Sequence, residues 1–167
     1  ARGLPAFGAQ QPWGDPSWYR GRPNPFYGPS HAAFRQRVRR FVEEELEPFC
    51  GEWDEAKRIP QEVYRKAAQV GLLAAVVGAP WPAEAPVPGP EGFDPFHELI
   101  ALDEACRCGS GGVIWGLLEG LAIGLPPVLH FASPELRARV APPCLAGEKI
   151  ICLCISEPYA GSDVANL

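Results

Sequence analysis

Ile150-Ile151-Cys152-Leu153-Cys154-Ile155-Ser156-Glu157-Pro158-Tyr159-Ala160-Gly161-Ser162-Asp163-Val164 is the stretch on which the reading of this 167-residue chain turns. Ile150 to Ile155 are all apolar and mostly β-favouring, which predicts a short buried strand. At Ser156 the character changes to hydroxyls, a carboxylate, a proline that fixes φ and a glycine that permits positive φ. A strand entering a tight polar loop follows. Such a loop either makes an ordinary turn or points backbone N–H groups and the Ser156 and Ser162 hydroxyls one way, as a phosphate or a flavin edge requires.

Upstream, the chain is helical in pattern. Phe34, Val38, Phe41, Val42, Leu46 and Phe49 form one apolar stripe on a helix that Ser30 is expected to cap and Pro48 to break or kink. Its basic residues come early and its acidic ones late, against the helix dipole, so tertiary packing must hold it. A second helix is predicted from Pro60 to Gly71, with Val63, Tyr64, Ala67, Ala68 and Val70 inward. A proline-rich loop follows Ala79. Asp94-Pro95 then starts another helix that Gly109 stops, with Glu98, Asp103 and Glu104 on a solvated face. Ser133-Pro134 begins the last helix, in which Leu136 and Val140 face inward and which Pro142-Pro143 end or bend.

Gly111 to Phe131 carries a single formal charge, Glu119, and Gly112, Gly116, Gly120 and Gly124 recur every fourth residue. That is also the pattern of a close-packed membrane helix. Glu119 near its centre, Pro126-Pro127, and flanks without an Arg/Lys border favour a fully buried helix of a soluble protein with no membrane span. The glycine edge would admit another helix or a ligand's alkyl chain close to the backbone.

Composition narrows the class further. Apolar content of 47% and charged content of 21% fit a globular protein, and the net charge of −5 conceals an asymmetry. Residues 1–40 hold Arg2, Arg20, Arg22, Arg35, Arg37, Arg39 and Arg40 against Asp15 alone; the remainder holds eight basic and nineteen acidic residues. Without lysine, a folded basic face or a recognition motif, this arm does not read as nucleic-acid binding. Residues 1–29 lack any period and read as a Pro/Gly/Arg-rich arm or linker, held to its domain through Trp13, Trp18, Phe26 and Tyr27. The six cysteines lack zinc-ligand spacing and His31, His97 and His130 are scattered, so reduced thiols, no metal and an intracellular location, mitochondrial or cytoplasmic, are expected.

The string Leu153-Cys154-Ile155-Ser156-Glu157-Pro158-Tyr159-Ala160-Gly161-Ser162-Asp163 resembles the flavin-facing motif of the acyl-CoA dehydrogenase superfamily, roughly [Thr/Ser]-Glu-Pro-x-Ala-Gly-Ser-Asp. Leu153 stands where many members have an aromatic residue, and Tyr159 where the residue is often small. Glu52-Trp53-Asp54, Pro60 to Tyr64, Gly71-Leu72-Leu73, Asp103-Glu104, Ser133-Pro134-Glu135-Leu136 and Gly147-Glu148-Lys149 follow the order of that family's N-terminal helical domain. The resemblance covers residues from about 30 to 167. It implies a mainly α fold in three parts: the arm over 1–29, a helical bundle over 30–147, and over 148–167 the first strand of a truncated middle β-domain.

It implies an FAD-dependent oxidoreductase of fatty-acid type that acts on the CH–CH bond of an acyl-CoA, with an electron-transfer flavoprotein or oxygen as acceptor and a homo-oligomeric full-length protein. Residues 153–162, namely Leu153, Cys154, Ile155, Ser156, Glu157, Pro158, Tyr159, Ala160, Gly161 and Ser162, are the implied cofactor-binding set. Ser156 is implied at the flavin ring, and Ser162 at the pyrophosphate and the acyl-CoA substrate. The proline-rich loop is implied near the acyl-CoA entrance. The glutamate base is expected beyond Leu167, so no residue here is assigned a catalytic role and the chain is expected to be a fragment, inactive alone. The alternatives are a non-enzymatic helical interaction module derived from the fold, and an oxidase-like or nitroalkane-oxidising relative.

Overall fold

The computed structural model describes residues 15–83, 85 and 89–166. Eight α-helices carry the described chain: α1 (Pro29–Phe41), α2 (Cys50–Ala56), α3 (Gln61–Gln69), α4 (Leu72–Val77), α5 (Pro95–Ala105), α6 (Gly111–Ile114), α7 (Gly120–Phe131) and α8 (Pro134–Leu145). Two π-helical segments, Val42–Leu46 after α1 and Trp115–Glu119 between α6 and α7, keep the axes running while shifting the register by a residue. The fold is therefore mainly α, as the sequence predicts.

Helices α1 and α5 pack side by side in the same direction, with His31 beside Asp94 at one end and Arg39 beside Glu104 at the other. The core between them and α3, α4, α7 and α8 is built from Phe34, Val38, Leu46, Ala67, Leu72, Leu73, Ile100, Leu118, Leu125 and Leu145, all 1% exposed or less. Leucines and alanines at three- and four-residue spacing supply this packing, and each large side chain removed from water contributes roughly 1.5–3 kcal/mol.

Several expectations are corrected in detail. Gly28, not Ser30, precedes α1, and its N–H donates to His31 Nδ1 at 2.9 Å. Phe49 is exposed, because the chain turns after Leu46 and removes it from the stripe. Pro142 and Pro143 sit inside α8, which ends only at Leu145; their carbonyls accept the N–H groups of Ala146, Glu148 and Lys149 and so carry the helix into the Gly147 turn. Leu136 lies on the outer side of α8 instead of the inner.

Asp94 caps α5, accepting from the Phe96 N–H at 3.0 Å, at the boundary that Asp94-Pro95 predicts. The solvated face predicted for Asp103 and Glu104 does not hold for Glu104, which is wholly buried. The inner face of α5 is His97, Ile100, Ala101, Glu104 and Ala105, a three- and four-residue repeat that places Glu104 against α1. Arg35 and Arg39 lie on the matching face of α1 and are buried with it. Arg39 grips Glu104 with Nε at 2.6 Å and Nη2 at 2.7 Å and reaches Asp15 at 2.9 Å. Arg35 pairs with Asp103 and Glu104. Burial alone would lower the Arg39 guanidinium; its bonds to Glu104 and Asp15 outweigh that and hold it above its ordinary value.

The same arginines pin the described part of the arm. Arg35 lies over the rings of Trp18 and Tyr19 at 5.6 and 5.3 Å, and Trp18 stacks on Tyr27 at 4.2 Å between centroids. Phe26 stacks on Phe96 from an exposed position, and Trp13 lies outside the described residues.

Candidate functional site

Residues 150–166 leave the bundle through a turn that only glycine can make. Gly147 has φ 69°, and a Cβ there would fall 2.3 Å from the Tyr64 carbonyl oxygen. Gln61 Nε2 donates to the Gly147 carbonyl at 2.6 Å, fixing the exit. The chain then crosses α7, where a Cβ on Gly120 would lie 2.5 Å from the Ile151 carbonyl oxygen and one on Gly124 3.2 Å from Cys152 C. The glycine edge is thus occupied: Ile151–Cys152 cover Gly120 and Gly124, the tip of Ile59 covers Gly116, and Asp54 covers Gly112. Under the strap the hollow bordered by Tyr64, Gly116, Leu121 and Ile151 is about 10 Å³, too small for an alkyl chain, while beside Gly112 and Gly116 an open hollow of about 300 Å³ remains, bordered by Trp53, Ile59 and Tyr64.

The predicted strand over Ile150–Ile155 is not formed. Residues 150–156 have no regular secondary structure, and no described strand lies beside them to complete a ladder. Ile150, Leu153 and Ile155 are consequently exposed instead of buried, while Ile151 packs on the core. The two thiols at Cys152 and Cys154 face each other with sulfurs 3.8 Å apart.

After Ser156 the chain makes a closed turn. The Glu157 N–H donates to the Ala160 carbonyl at 2.8 Å and the Ala160 N–H returns to Glu157 at 3.3 Å, with Pro158 and the fully exposed Tyr159 at the tip. The turn brings Gly161 back beside Ser156, whose Oγ is 3.4 Å from where a Gly161 Cβ would stand. Leu153, Cys154, Ile155, Ser156, Glu157, Pro158, Tyr159 and Ser162 are exposed, and Ala160 and Gly161 half-buried, so the ten sequence-selected residues form one continuous surface. Among the described residues neither the Ser156 nor the Ser162 hydroxyl is engaged by a protein hydrogen bond. Such a surface has apolar flanks for a ring system and two free hydroxyls for polar edges.

The structure also gathers residues that sequence spacing left apart. His31 and His97 stack with centroids 4.0 Å apart, and both reach Asp94, at 2.9 Å from His31 Nε2 and 3.0 Å from His97 Nδ1. The three ligand atoms lie within 4.8 Å of one another, close enough to hold a metal ion. Their hydrogen bonding argues for a different role. His31 Nδ1 accepts from Gly28, so its proton sits on Nε2 and is donated to Asp94, whereas a metal on Nε2 would turn an Nδ1–H against the Gly28 N–H. His97 Nδ1 is already committed to the α5 cap, lying 3.2 Å from the Asp94 backbone N and 3.0 Å from Asp94 Oδ1. The positive ends of α1 and α5 also converge here, which suits the Asp94 carboxylate and not a cation. The cluster is a shared cap: the bonds from His31 and His97 overcome the cost of desolvation and depress Asp94, while burial keeps His97 below the usual histidine range.

Two larger hollows lie elsewhere. One, about 560 Å³, is an open groove by Arg37, Arg40, Glu44 and Lys66; the other, about 530 Å³, lies between α1 and the arm beside Trp18, Tyr19 and Tyr27. The Gly111–Phe131 segment is long and apolar enough to cross a membrane, with mean hydropathy 1.6, and it packs Leu117, Leu118 and Leu125 into the bundle. It is not fully buried, since Trp115, Ile123 and Phe131 lie in the open.

Comparison with known proteins agrees with this architecture. Residues 28–148 match the family model described as acyl-CoA dehydrogenase, N-terminal domain. An acyl-CoA dehydrogenase of Alternaria alternata is 40% identical over 96% of this chain, and one of Emericella nidulans 34% identical over 93%. The bovine mitochondrial short-chain specific acyl-CoA dehydrogenase is 35% identical over 80%. Among solved structures, a putative acyl-CoA dehydrogenase from Mycobacterium smegmatis superposes with a TM-score of 0.68 at 34% identity over 84% of this chain and 35% of its own. The chain spans 39%, 38% and 31% of the lengths of the three curated relatives. The match over 28–148 takes in all eight α-helices, and on it the chain belongs to the acyl-CoA dehydrogenase family and carries that family's N-terminal helical domain.

Proposed function

We propose that this chain is the N-terminal part of an FAD-dependent enzyme that oxidises an acyl-CoA thioester between Cα and Cβ. FAD, when bound, accepts the β-hydrogen as hydride, and the electrons pass on to an electron-transfer flavoprotein or to oxygen. The single observation that carries the reading is the exposed Ser156–Ser162 turn, whose two hydroxyls lack protein partners among the described residues and whose flanks Leu153 and Ile155 are apolar and uncovered. Ser156 would donate to or accept from the flavin ring edge, and Ser162 would meet the pyrophosphate and border the substrate. Leu153 and Ile155, exposed here, would lie under further strands of a β-domain that begins at about residue 148.

By the family resemblance the catalytic base is assigned to chain beyond residue 167; of the glutamates described, Glu104 is committed to arginines and Glu157 is exposed. The exposed Trp115, Ile123 and Phe131 supply an apolar face for the rest of the protein or for a second subunit. The six free thiols accord with a reducing, intracellular compartment and the bundle packing of Gly111–Phe131 with a protein that does not span the membrane.

The test is direct. Full-length protein purified without added cofactor should carry stoichiometric flavin absorbance and bleach on addition of acyl-CoA, while the 167-residue chain should hold little or none. S156A and S162A should each weaken flavin retention about five- to tenfold, the loss of roughly one hydrogen bond. A colourless full-length protein, or serine variants with undiminished flavin, would overturn the reading.

A further inference from the structure

We propose that Cys152 and Cys154 are a redox-modification site: on meeting a low-molecular-weight disulfide such as oxidised glutathione they join in an intramolecular disulfide whose usual span is too short for the extended conformation the flavin-facing strand requires. The exclusion rests on the flavin reading above; formation of the bond does not.

The sulfurs of Cys152 and Cys154 are 3.8 Å apart and both residues are exposed. The remaining thiols are placed differently. Cys50, Cys108 and Cys144 are buried, with Cys50 Sγ held to the Cys108 carbonyl at 3.1 Å, and exposed Cys106 has only buried Cys108 as its sequence neighbour. Around Cys152 the backbone has no ladder bonds to resist contraction. It is anchored on one side only, where Ile151 and Cys152 rest on Gly120 and Gly124. The adjacent Cys154 raises the Cys152 thiol, as expected of two sulfurs sharing a proton.

Geometry supplies the exclusion. Two residues of β-strand span roughly 6.4–6.8 Å between Cα atoms, at the upper limit of about 6.8 Å for a disulfide and beyond its usual span of about 5.5–6 Å. Closing the bond at its usual span therefore shortens a strand at Cys152–Cys154 by roughly 0.5–1 Å. Because Cys152 is held against Gly124, the contraction pulls Ile155 and Ser156 toward the bundle and out of register with any neighbouring strand. The chemistry balances: one cysteine thiolate attacks oxidised glutathione, a mixed disulfide forms and one glutathione thiolate leaves. The second cysteine gives up its proton and attacks the protein sulfur of the mixed disulfide, and the second glutathione leaves. The protein loses two hydrogens and two electrons, and one oxidised glutathione becomes two reduced ones.

The experiment uses flavin-loaded full-length protein incubated with oxidised glutathione, then desalted and read three ways: mass of the peptide containing residues 150–155, free-thiol count, and flavin absorbance. That peptide should lose two hydrogens, flavin should be released in step with the oxidised fraction, and dithiothreitol followed by FAD should restore it. C152S should keep its flavin under the same treatment. Free thiols or only glutathione adducts at both positions, in loaded and flavin-stripped protein alike, would overturn the bond. A complete disulfide with all flavin retained would overturn the exclusion. Should the reduced full-length protein carry no flavin at all, the flavin reading fails, and the peptide mass still decides whether the disulfide forms.

Discussion

The seam between α1 and α5 and the seam between α7 and Ile151–Cys152 are both interior contacts, yet they are made of opposite materials. The first is pinned by polar groups at both ends: a His31–Asp94–His97 cap at one and an Arg35–Glu104–Arg39 cluster with Asp15 and Asp103 at the other. The second is bare backbone on glycine, with Gly120 and Gly124 giving up their side chains so that the exit strap can lie against the helix. One seam fixes register by charge complementarity and tolerates no loss of a partner. The other fixes position by excluded volume and tolerates no added atom. Variants that remove a charge and variants that add a methyl should therefore fail in different ways.

The largest effect is expected from the polar seam. E104Q leaves Arg35 and Arg39 buried around a neutral amide, and breaking a buried pair in this way costs about 3–5 kcal/mol. Against a total stability of about 5–15 kcal/mol this is a large fraction, visible as a drop in the urea midpoint. The double variant R39L/E104L should lose less than the two single variants added together, because the two residues share one interaction. Additive losses would show that the cluster is not a coupled unit.

Next is the glycine seam. G120A places a methyl 2.5 Å from the Ile151 carbonyl oxygen, and the clash of about 1–3 kcal/mol outweighs the roughly 1 kcal/mol gained from alanine's helix propensity. The strap should lift, so Cys152 and Cys154 should react faster with a thiol reagent than in the parent chain. G116A is the control: its methyl meets only the flexible tip of Ile59 at 2.9 Å, and the strap should stay down. Equal thiol reactivity in G120A and the parent would refute the excluded-volume account.

The two seams were unequally legible in the sequence. The glycine spacing at Gly112, Gly116, Gly120 and Gly124 announced a close approach, and only the identity of the approaching group, the chain's own Ile151–Cys152, required coordinates. The polar seam stays hidden from any reading in which charge marks exposure. The three- and four-residue repeat itself carried the information: His31, Phe34, Arg35, Val38 and Arg39 on α1, and His97, Ile100, Ala101 and Glu104 on α5, each form one stripe. Complementary charges on two such stripes signal a buried pair, whatever their hydropathy. Ile150–Ile155 failed in the reverse sense. Its composition favours a strand, but strand formation depends on neighbours that no local pattern within these residues supplies.

Acid should separate the seams without any mutation. Burial holds His97 below its unfolded pKa of about 6.5, so in the window just beneath that value the unfolded chain binds a proton the folded chain refuses. Stability then rises with pH through the window and is lost as pH falls through the folded pKa. Depression of Asp94 has the same sign and adds a further loss below about pH 4. H97Q should flatten the upper part of this profile. The smallest effect belongs to the other seam: Tyr64 donates its hydroxyl to the Gly116 carbonyl at 3.0 Å, inside the π-helical segment where that carbonyl lacks a regular α-helical partner. Y64F should cost about 0.5–1.5 kcal/mol. Burial raises the Tyr64 phenol, so this loss should be the same at pH 5 as at pH 8. A Y64F penalty that changed across that range, or an H97Q profile as steep as the parent's, would show that the seams are coupled and that the division between charge and volume is drawn in the wrong place.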